Sequence, residues 1–348
     1  MPSDADVRDA ARAMDQPMRG LSAWVITDGK AGSESQALGV AGALGLDAAL
    51  KRAAPTGLYR LIAPYGPPDP RVRFGETGSD FAPPWPDVAI SIGRRSLPVL
   101  RALQRAAGGA CFTIVLQDPR AGANIADVVW VPEHDRLRGP NVITTPTSPH
   151  GFPPERLAVL REHMPPAIAA LPKPKVAVLL GGKNRVFRFT DADHDRFAGA
   201  LASMARLGAS FLITPSRRTH DGLLRAAIAG IGDAPALVYD GTGPNPYADF
   251  LAHADMIVVS ADSISMTGEA TATGAPVYVF HPSRGSAKFA RFHEALERQG
   301  ACRELPAVVD RLDGWRYTAS DATSDIRDAI VARYLAWRGR RGGEGEGG

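Results

Sequence analysis

At 348 residues the chain is longer than one ordinary hydrophobic core supports, so two domains are expected. Its 45% hydrophobic and 22% charged content is that of a water-soluble globular chain, and a formal net charge of only +3 argues against a dedicated nucleic-acid binder, which would normally carry a concentrated basic face. Cys111 and Cys302 lie far apart and in no metal-ligand spacing, which argues against a disulfide framework or a zinc site and fits a reducing cytoplasm.

Residues 1–20 are polar and rich in Arg and Asp, without an apolar h-region. They read as a disordered lead and not as a secretory signal. No apolar run approaches the roughly 20 residues that cross a bilayer. The first apolar run, Leu21 to Ile26, leads into Thr27-Asp28-Gly29-Lys30-Ala31-Gly32-Ser33 and then a helical pattern with Ala37, Val40, Ala41 and Leu44, ended by Gly45. After the Pro/Gly-rich region 63–86 a second strand, Val88 to Ile92, runs into Gly93-Arg94-Arg95-Ser96 and a helix ending near Gly108. Strands Phe112 to Leu116, Val128 to Val131 and Val142 to Thr144 follow. Pro165-Pro166 and Pro172-Lys173-Pro174 bracket a connector, after which the pattern restarts with Val176 to Leu180. A helix with Phe197, Leu201 and Met204, a strand Ser210 to Ile213, a helix around Leu223 and a strand Leu237 to Tyr239 come next. Strands Met256 to Val259 and Val277 to Phe280 enclose a short helix, and Ile326, Ile330, Tyr334 and Trp337 share one face of a closing helix. Strands alternating with helices mean doubly wound parallel sheets. The expected division is a lead (1–20), a Rossmann-like domain (21–164), a linker (165–174), a second Rossmann-like, donor-binding domain (175–320), a helix (321–338) and a disordered tail (339–348).

The most informative stretch is Asp262-Ser263-Ile264-Ser265-Met266-Thr267-Gly268-Glu269-Ala270, between two apolar runs. A loop there lies at the carboxyl edge of a parallel sheet and at a helix N-terminus, where open α/β sheets bind ligands and anions are favoured. The hydroxyls of Ser263, Ser265 and Thr267 suit a ligand or a helix cap, with Ser265 or Thr267 the expected cap. Glu269, on the first turns, suits a sugar or ribose hydroxyl pair. Gly181-Gly182-Lys183 leaves the first strand of the second domain: glycines let amides approach a diphosphate, and Lys183 neutralises it. Ser216-Arg217-Arg218-Thr219 follows the next strand, and paired arginines bind phosphate bidentately. Each loop alone reads equally as an ordinary turn or a solvated pair. Together with Asp262, Ser263, Ser265, Met266 and Glu269 they suit a nucleotide diphosphate donor.

The first domain offers Asp28, Lys30, Gly32 and Gln36 in one loop and helix start, Gln117-Asp118-Pro119-Arg120 in another, and Glu133-His134-Asp135 in a third. A transferase must deprotonate an acceptor hydroxyl, so a base is needed. His134 between two carboxylates is the first candidate, with Asp118 and Asp28 next; Lys30, Gly32, Gln36 and Glu133 are placed on the acceptor side. Neighbouring residues on an extended chain point apart, so Glu133, His134 and Asp135 are not expected to share a metal.

Trp24-Val25-Ile26-Thr27-Asp28-Gly29-Lys30-Ala31-Gly32 with Gln36, Gln117 to Arg120, Pro132 to Asp135, Asn141 to Thr144, Gly181-Gly182, Ser216 to Thr219, and Asp262 to Met266 with Glu269-Ala270 resemble, in order, the blocks of the mitochondrial-fission "elongated mitochondria" family and its bacterial homologues. The resemblance covers roughly residues 21–300. It implies a GT-B-like fold of two Rossmann-like domains facing a cleft, and transfer of sugar from a nucleotide-sugar to an envelope lipid or glycan acceptor, with no metal or cofactor and no nucleic acid. Plant members imply a different role, a non-catalytic adaptor that recruits a dynamin-like protein partner. Bacterial members have been labelled nucleoside-diphosphate-sugar epimerases, but the nicotinamide that label requires has no Gly-x-Gly-x-x-Gly here. A cytoplasmic location is expected. Arg333, Arg338, Arg340 and Arg341 beside Tyr334 and Trp337 either make peripheral contact with the inner membrane or belong to a helix packed on the first domain.

Overall fold

The computed structural model describes residues 16–344. The chain forms two compact units, one up to Gly151 and again from Ala322, the other Phe152–Asp321.

In unit 1 the elements run β1 (Ser22–Thr27), α1 (Ala31–Ala43), β2 (Asp47–Arg52), α2 (Gly57–Ile62), β3 (Val88–Ile92), α3 (Leu97–Ala106), β4 (Phe112–Leu116), β5 (Val128–Pro132) and β6 (Val142–Thr145). The sheet is wholly parallel in the order β2-β1-β3-β4-β5-β6. Every residue of β3, β4 and β5 is buried, because helices cover both faces of such a sheet and its central strands need no polar side. The closing helix, Ala322–Glu344, returns to this unit and sets Ile326, Ile330 and Tyr334 against α1 and Phe112. Phe112 meets the rings of Tyr334 and Trp337 at 5.3 and 5.4 Å. Arg341 lies over Trp337 and donates to the Gly109 carbonyl at 2.6 Å. Packing on unit 1 therefore occupies the aromatic face that membrane contact would need.

The boundaries at both ends of the chain differ from the sequence reading. Met18 is fully buried in the unit 1 core, so the ordered chain starts before residue 21; the rest of the expected lead, residues 1–15, lies outside the described residues. The closing helix runs past 338 to Glu344, and only 345–348 of the expected tail fall outside the described residues.

Unit 2 opens with α4 (Pro154–Glu162) and α5 (Pro166–Ala169), followed by β7 (Lys175–Leu180), β8 (Phe187–Arg188), α6 (Asp191–Arg206), β9 (Ser210–Pro215), α7 (Asp221–Ile231), β10 (Ala236–Val238), α8 (Tyr247–His253), β11 (Met256–Ser260), α9 (Ile264–Thr271), β12 (Val277–Phe280), β13 (Ser283–Arg284), α10 (Ala287–Arg298) and β14 (Cys302–Glu304). Its sheet is parallel in the order β10-β9-β7-β11-β12-β14, with β8 and β13 paired antiparallel apart from it. Residues 152–164 and the Pro-bracketed stretch belong here and not to the first domain or a free linker. Leu157 and Ile168 are buried in this unit's core, and the Arg161 guanidinium donates to the Ala252 and Thr273 carbonyls at 3.2 and 2.6 Å.

In each sheet the first strand lies between neighbours whose connections leave in opposite directions: β1 between β2 and β3, β7 between β9 and β11. The loops after those strands diverge, and a crevice opens at the carboxyl edge. Among the described residues no helix is long and apolar enough to cross a membrane.

Candidate functional site

At the unit 2 switch point three loops are tied to one another. The Gly181 amide donates to Ser260 Oγ at 2.8 Å, linking the loop after β7 to the end of β11. The Lys183 amide donates to the Arg218 carbonyl at 2.8 Å, linking it to the loop after β9. Asn184 Nδ2 donates to the Asp262 carbonyl at 3.1 Å, while its Oδ1 accepts from the Val186 and Phe187 amides. The approach is close enough to require glycine. A Cβ on Gly181 would stand 2.5 Å from Asp262 Oδ2, and one on Gly182 would stand 2.7 Å from Arg218 Cβ.

Asp262 is 7% exposed, and neither carboxylate oxygen has a hydrogen-bond partner. Burial pushes its carboxyl up to about 6, against smaller opposing effects of Ser260, the local amides and the Arg218 charge. A carboxylate buried at a sheet's switch point with a raised pKa makes Asp262 a candidate site residue.

Beside it lies a cavity of about 610 Å³. Thr214, Pro215, Ser216 and Arg217 from the end of β9 form one wall, Tyr239, Asp240 and Gly241 after β10 and Asn245 and Tyr247 another, and Met266 and Glu269 of α9 the third. Tyr247 Oη donates to Glu269 Oε2 in a short hydrogen bond. Burial pushes the Glu269 carboxyl up to about 7, while the Tyr247 hydroxyl and the Arg156 charge pull it back. Tyr247 in turn is held well above its ordinary value, first by burial and then by the Glu269 charge.

Of the donor-side residues read from the sequence, Ser216, Arg217, Met266 and Glu269 line this cavity, and Gly181, Gly182, Arg218 and Asp262 meet at the neighbouring crevice. Lys183 has an exposed side chain there. Thr219 clasps the loop from within instead of facing a ligand. Its Oγ1 accepts from the Ser216 amide at 2.7 Å and lies 2.9 and 2.7 Å from the Leu180 and Gly181 carbonyls. The helix cap also differs from expectation. Ser263 caps α9, its Oγ accepting from the Met266 amide at 3.3 Å; Thr267 is fully buried and donates to the Ser263 carbonyl, and Ser265 is exposed. Ser263→Ala should destabilise the protein by about 1 kcal/mol, measured by denaturant unfolding, whereas Ser265→Ala should change little. Tyr239, Asp240, Asn245 and Tyr247 are not among the residues that the sequence singles out. A signal for them exists all the same, since a Gly/Pro/Asn loop after a strand lies on the same edge as Ser216 and Asp262.

In unit 1 the candidates fall into small groups. Asp28, with its side chain 4% exposed, pairs with Lys30 Nζ at 2.8 Å and faces Arg95 at 3.7 Å. Gln117 Nε2 donates to Gln36 Oε1 at 3.0 Å, joining α1 to the loop after β4. Asp118 Oδ1 accepts from the Arg120 amide at 2.8 Å and braces that turn. His134 is buried at the end of β5, while Glu133 and Gly32 are exposed. Asp28 and Asp118 each have a carboxylate oxygen engaged. Among the described residues no group of three or more His, Cys, Asp or Glu is arranged to hold a metal ion.

Two parallel six-stranded α/β sheets, each with a carboxyl-edge switch point, define a GT-B-type protein. The UDP-GlcNAc 2-epimerase of Methanocaldococcus jannaschii shares this fold with a TM-score of 0.52 and 9% identity, over 90% of this chain and 100% of that one. The family model described as Mitochondrial fission ELM1 matches residues 31–334, and the chain belongs to that family. The mitochondrial fission protein ELM1 of Arabidopsis thaliana is 29% identical over 278 residues, which is 73% of this chain and 65% of the plant protein. A Rickettsia prowazekii (strain Madrid E) protein is 31% identical over 160 residues, 44% of this chain and 45% of its own length. The chain thus covers less than two thirds of either relative.

Proposed function

We propose that unit 2 binds a nucleotide-sugar and that the chain is a GT-B-type glycosyltransferase, working in the cytoplasm on an envelope lipid or glycan acceptor. The observation that carries this reading is the cavity at the carboxyl edge of the unit 2 sheet, with Ser216 and Arg217 on one wall and the Tyr247–Glu269 pair on another. In this reading Arg217, Arg218, Lys183 and the α9 amides neutralise the diphosphate, and Glu269 Oε1 accepts from the ribose or sugar hydroxyls. As the sugar–phosphate bond breaks, those cations stabilise the leaving diphosphate. His134 is the proposed base for the acceptor hydroxyl, ahead of Asp118 and Asp28, with Lys30, Gly32, Gln36 and Glu133 toward the acceptor.

Family membership favours a second reading, in which the fold serves as a non-catalytic adaptor for a protein partner. Thermal shift against UDP-, GDP-, CMP- and dTDP-sugars separates the two, because a ligand of the native state raises the melting temperature by mass action. The expected result is a shift with one nucleotide class, and Arg217→Ala weakens that ligand by about 10- to 100-fold, the worth of a charge-assisted contact. Absence of any shift overturns the donor site and leaves the adaptor.

A further inference from the structure

The loop that carries Arg217 and Arg218 is fastened at both ends. Toward β9, Thr219 Oγ1 accepts from the Ser216 amide at 2.7 Å, and the Arg218 carbonyl accepts from the Lys183 amide at 2.8 Å. Toward α7 the fastening is a histidine. His220 is the N-cap of that helix, and its Nδ1 accepts from the Gly222 amide at 3.0 Å. An imidazole nitrogen accepts only while it is bare, so this cap exists only with the ring neutral and its proton on Nε2.

The ring is closely surrounded. Phe189 stacks on it with centroids 6.4 Å apart, and the His194 ring lies 5.5 Å away. Both imidazoles press on the first turn of α7 at Gly222. A Cβ there would stand 2.5 Å from His194 Cε1 and 2.9 Å from His220 Nδ1. His194 Nε2 is buried with no hydrogen-bond partner among the described residues, and its Nδ1 lies 3.8 Å from the exposed Asp191. A proton on His220 Nδ1 would set its N–H against the Gly222 N–H, at the positive end of a helix. Most charges facing the ring oppose it as well. Lys183 acts from the loop after β7, His194 from α6 and Arg225 from α7, while Asp221 on α7 acts the other way. Burial, then Lys183 and His194, hold His220 below its ordinary 6.5.

We propose that His220 is the positioning residue of the arginine loop: neutral, it latches Ser216–Thr219 to α7 through the Gly222 amide, and protonated, it releases the loop. The latch itself needs no ligand; its effect on nucleotide binding rests on the donor reading above. Its sign follows from linkage. Just below 6.5 the unfolded chain takes up the proton that the folded ring still refuses, so the latch contributes fully above that pH and progressively less as the pH falls. Glu269 and Asp262, both raised, titrate in the opposite sense, so the readout is a difference between variants and not the shape of one curve.

The test compares the full chain with His220→Asn, because asparagine is a strong N-cap that does not titrate. Relative to wild type, the variant's melting temperature should be about 2–4 °C higher at pH 5 than at pH 8, the shift that one cap produces in a domain of this size. Over the same interval, wild-type affinity for whichever of the UDP-, GDP-, CMP- or dTDP-sugars binds should fall about fivefold more than the variant's. A melting difference that is the same at both pH values overturns the proposal, and so do affinities that fall in parallel. Should His220→Asn not fold, the imidazole nitrogen spectrum of the wild-type chain decides: a proton on His220 Nε2 at pH 8 is expected, and one on Nδ1 overturns the latch. If no nucleotide-sugar shifts the wild type at either pH, the donor reading falls and the melting comparison alone decides the latch, so the two failures are told apart.

Discussion

Glu269→Gln is expected to stabilise the unliganded protein at pH 8, to leave it nearly unchanged at about pH 3.5, and to weaken donor binding. The sign follows from linkage. The carboxyl titrates at about 7 when folded and at the ordinary 4.5 when unfolded. Between those values the folded state holds the proton that the unfolded state has released, so stability falls as pH rises through the window. Below about 4.5 both states are protonated and the glutamine makes no difference. Above 7 the native state carries a desolvated carboxylate, and removing that charge recovers about 3 kcal/mol at most. For a unit of this size that is a rise in melting temperature of roughly 5–10 °C. Glutamine keeps a carbonyl oxygen for the Tyr247 hydroxyl, so the packing partner is not lost. The same neutral amide is a weaker acceptor for ligand hydroxyls than a carboxylate is. Opposite signs for stability and affinity mark a group retained for a ligand at the expense of the fold. A lower melting temperature at every pH would instead make Glu269 a structural anchor and remove it from the proposed site. Asp262→Asn follows the same direction over a lower window, from 3.8 to about 6.

How much of this is legible in the sequence depends on burial. Val88 to Ile92 and Phe112 to Leu116 are uninterrupted apolar runs because both faces of those strands are covered, and the structure places β3 and β4 on those residues. Edge strand β2 leaves no such mark, because Asp47–Arg52 is nowhere fully buried and its pattern is that of an ordinary amphipathic segment. Strand β14 has three residues, of which Arg303 and Glu304 are exposed. Met18 is a single apolar residue between Pro17 and Arg19, and Leu157 opens a short apolar run, Leu157 to Leu160, of which Val159 is exposed; only the core they enter reveals their place. In the candidate site the glycines and polar residues after β7, β9 and β11 are readable, since a parallel strand must release its ligand-facing loop at its carboxyl end. Tyr247 is not, because its meaning comes from Glu269, 22 residues away in sequence. The α9 cap is ambiguous for a similar reason. Ser263, Ser265 and Thr267 all carry hydroxyls, and the residue at which the backbone turns from extended to helical decides among them.

The second large effect is expected at Gly181. Its φ lies outside the left-handed region, so the backbone itself accepts alanine. The obstacle is the Asp262 carboxyl, whose Oδ2, Oδ1 and Cγ stand 2.5, 2.6 and 2.8 Å from the position of the added methyl. Asp262 is buried and short, so it has little room to rotate away. Gly181→Ala should therefore destabilise unit 2 by about 1–3 kcal/mol, in the range of overpacked cores, and displace the carboxylate from the switch point. Chemical denaturation of Gly181→Ala, Asp262→Ala and the double variant forms a cycle. In the Asp262→Ala background the clashing atoms are gone, so the alanine at 181 should cost only a few tenths of a kcal/mol, giving a coupling of at least 1 kcal/mol. Additive effects would mean that the two loops are not pressed together, and the crevice would lose its physical basis. If the coupling appears and Gly181→Ala also abolishes the nucleotide-dependent thermal shift, the switch point is both a tight backbone approach in unit 2 and the place where its ligand sits. Evolution could then vary the cavity walls around Tyr239 and Asn245 to change the nucleoside or sugar without disturbing the glycine–aspartate contact that holds the loops in register.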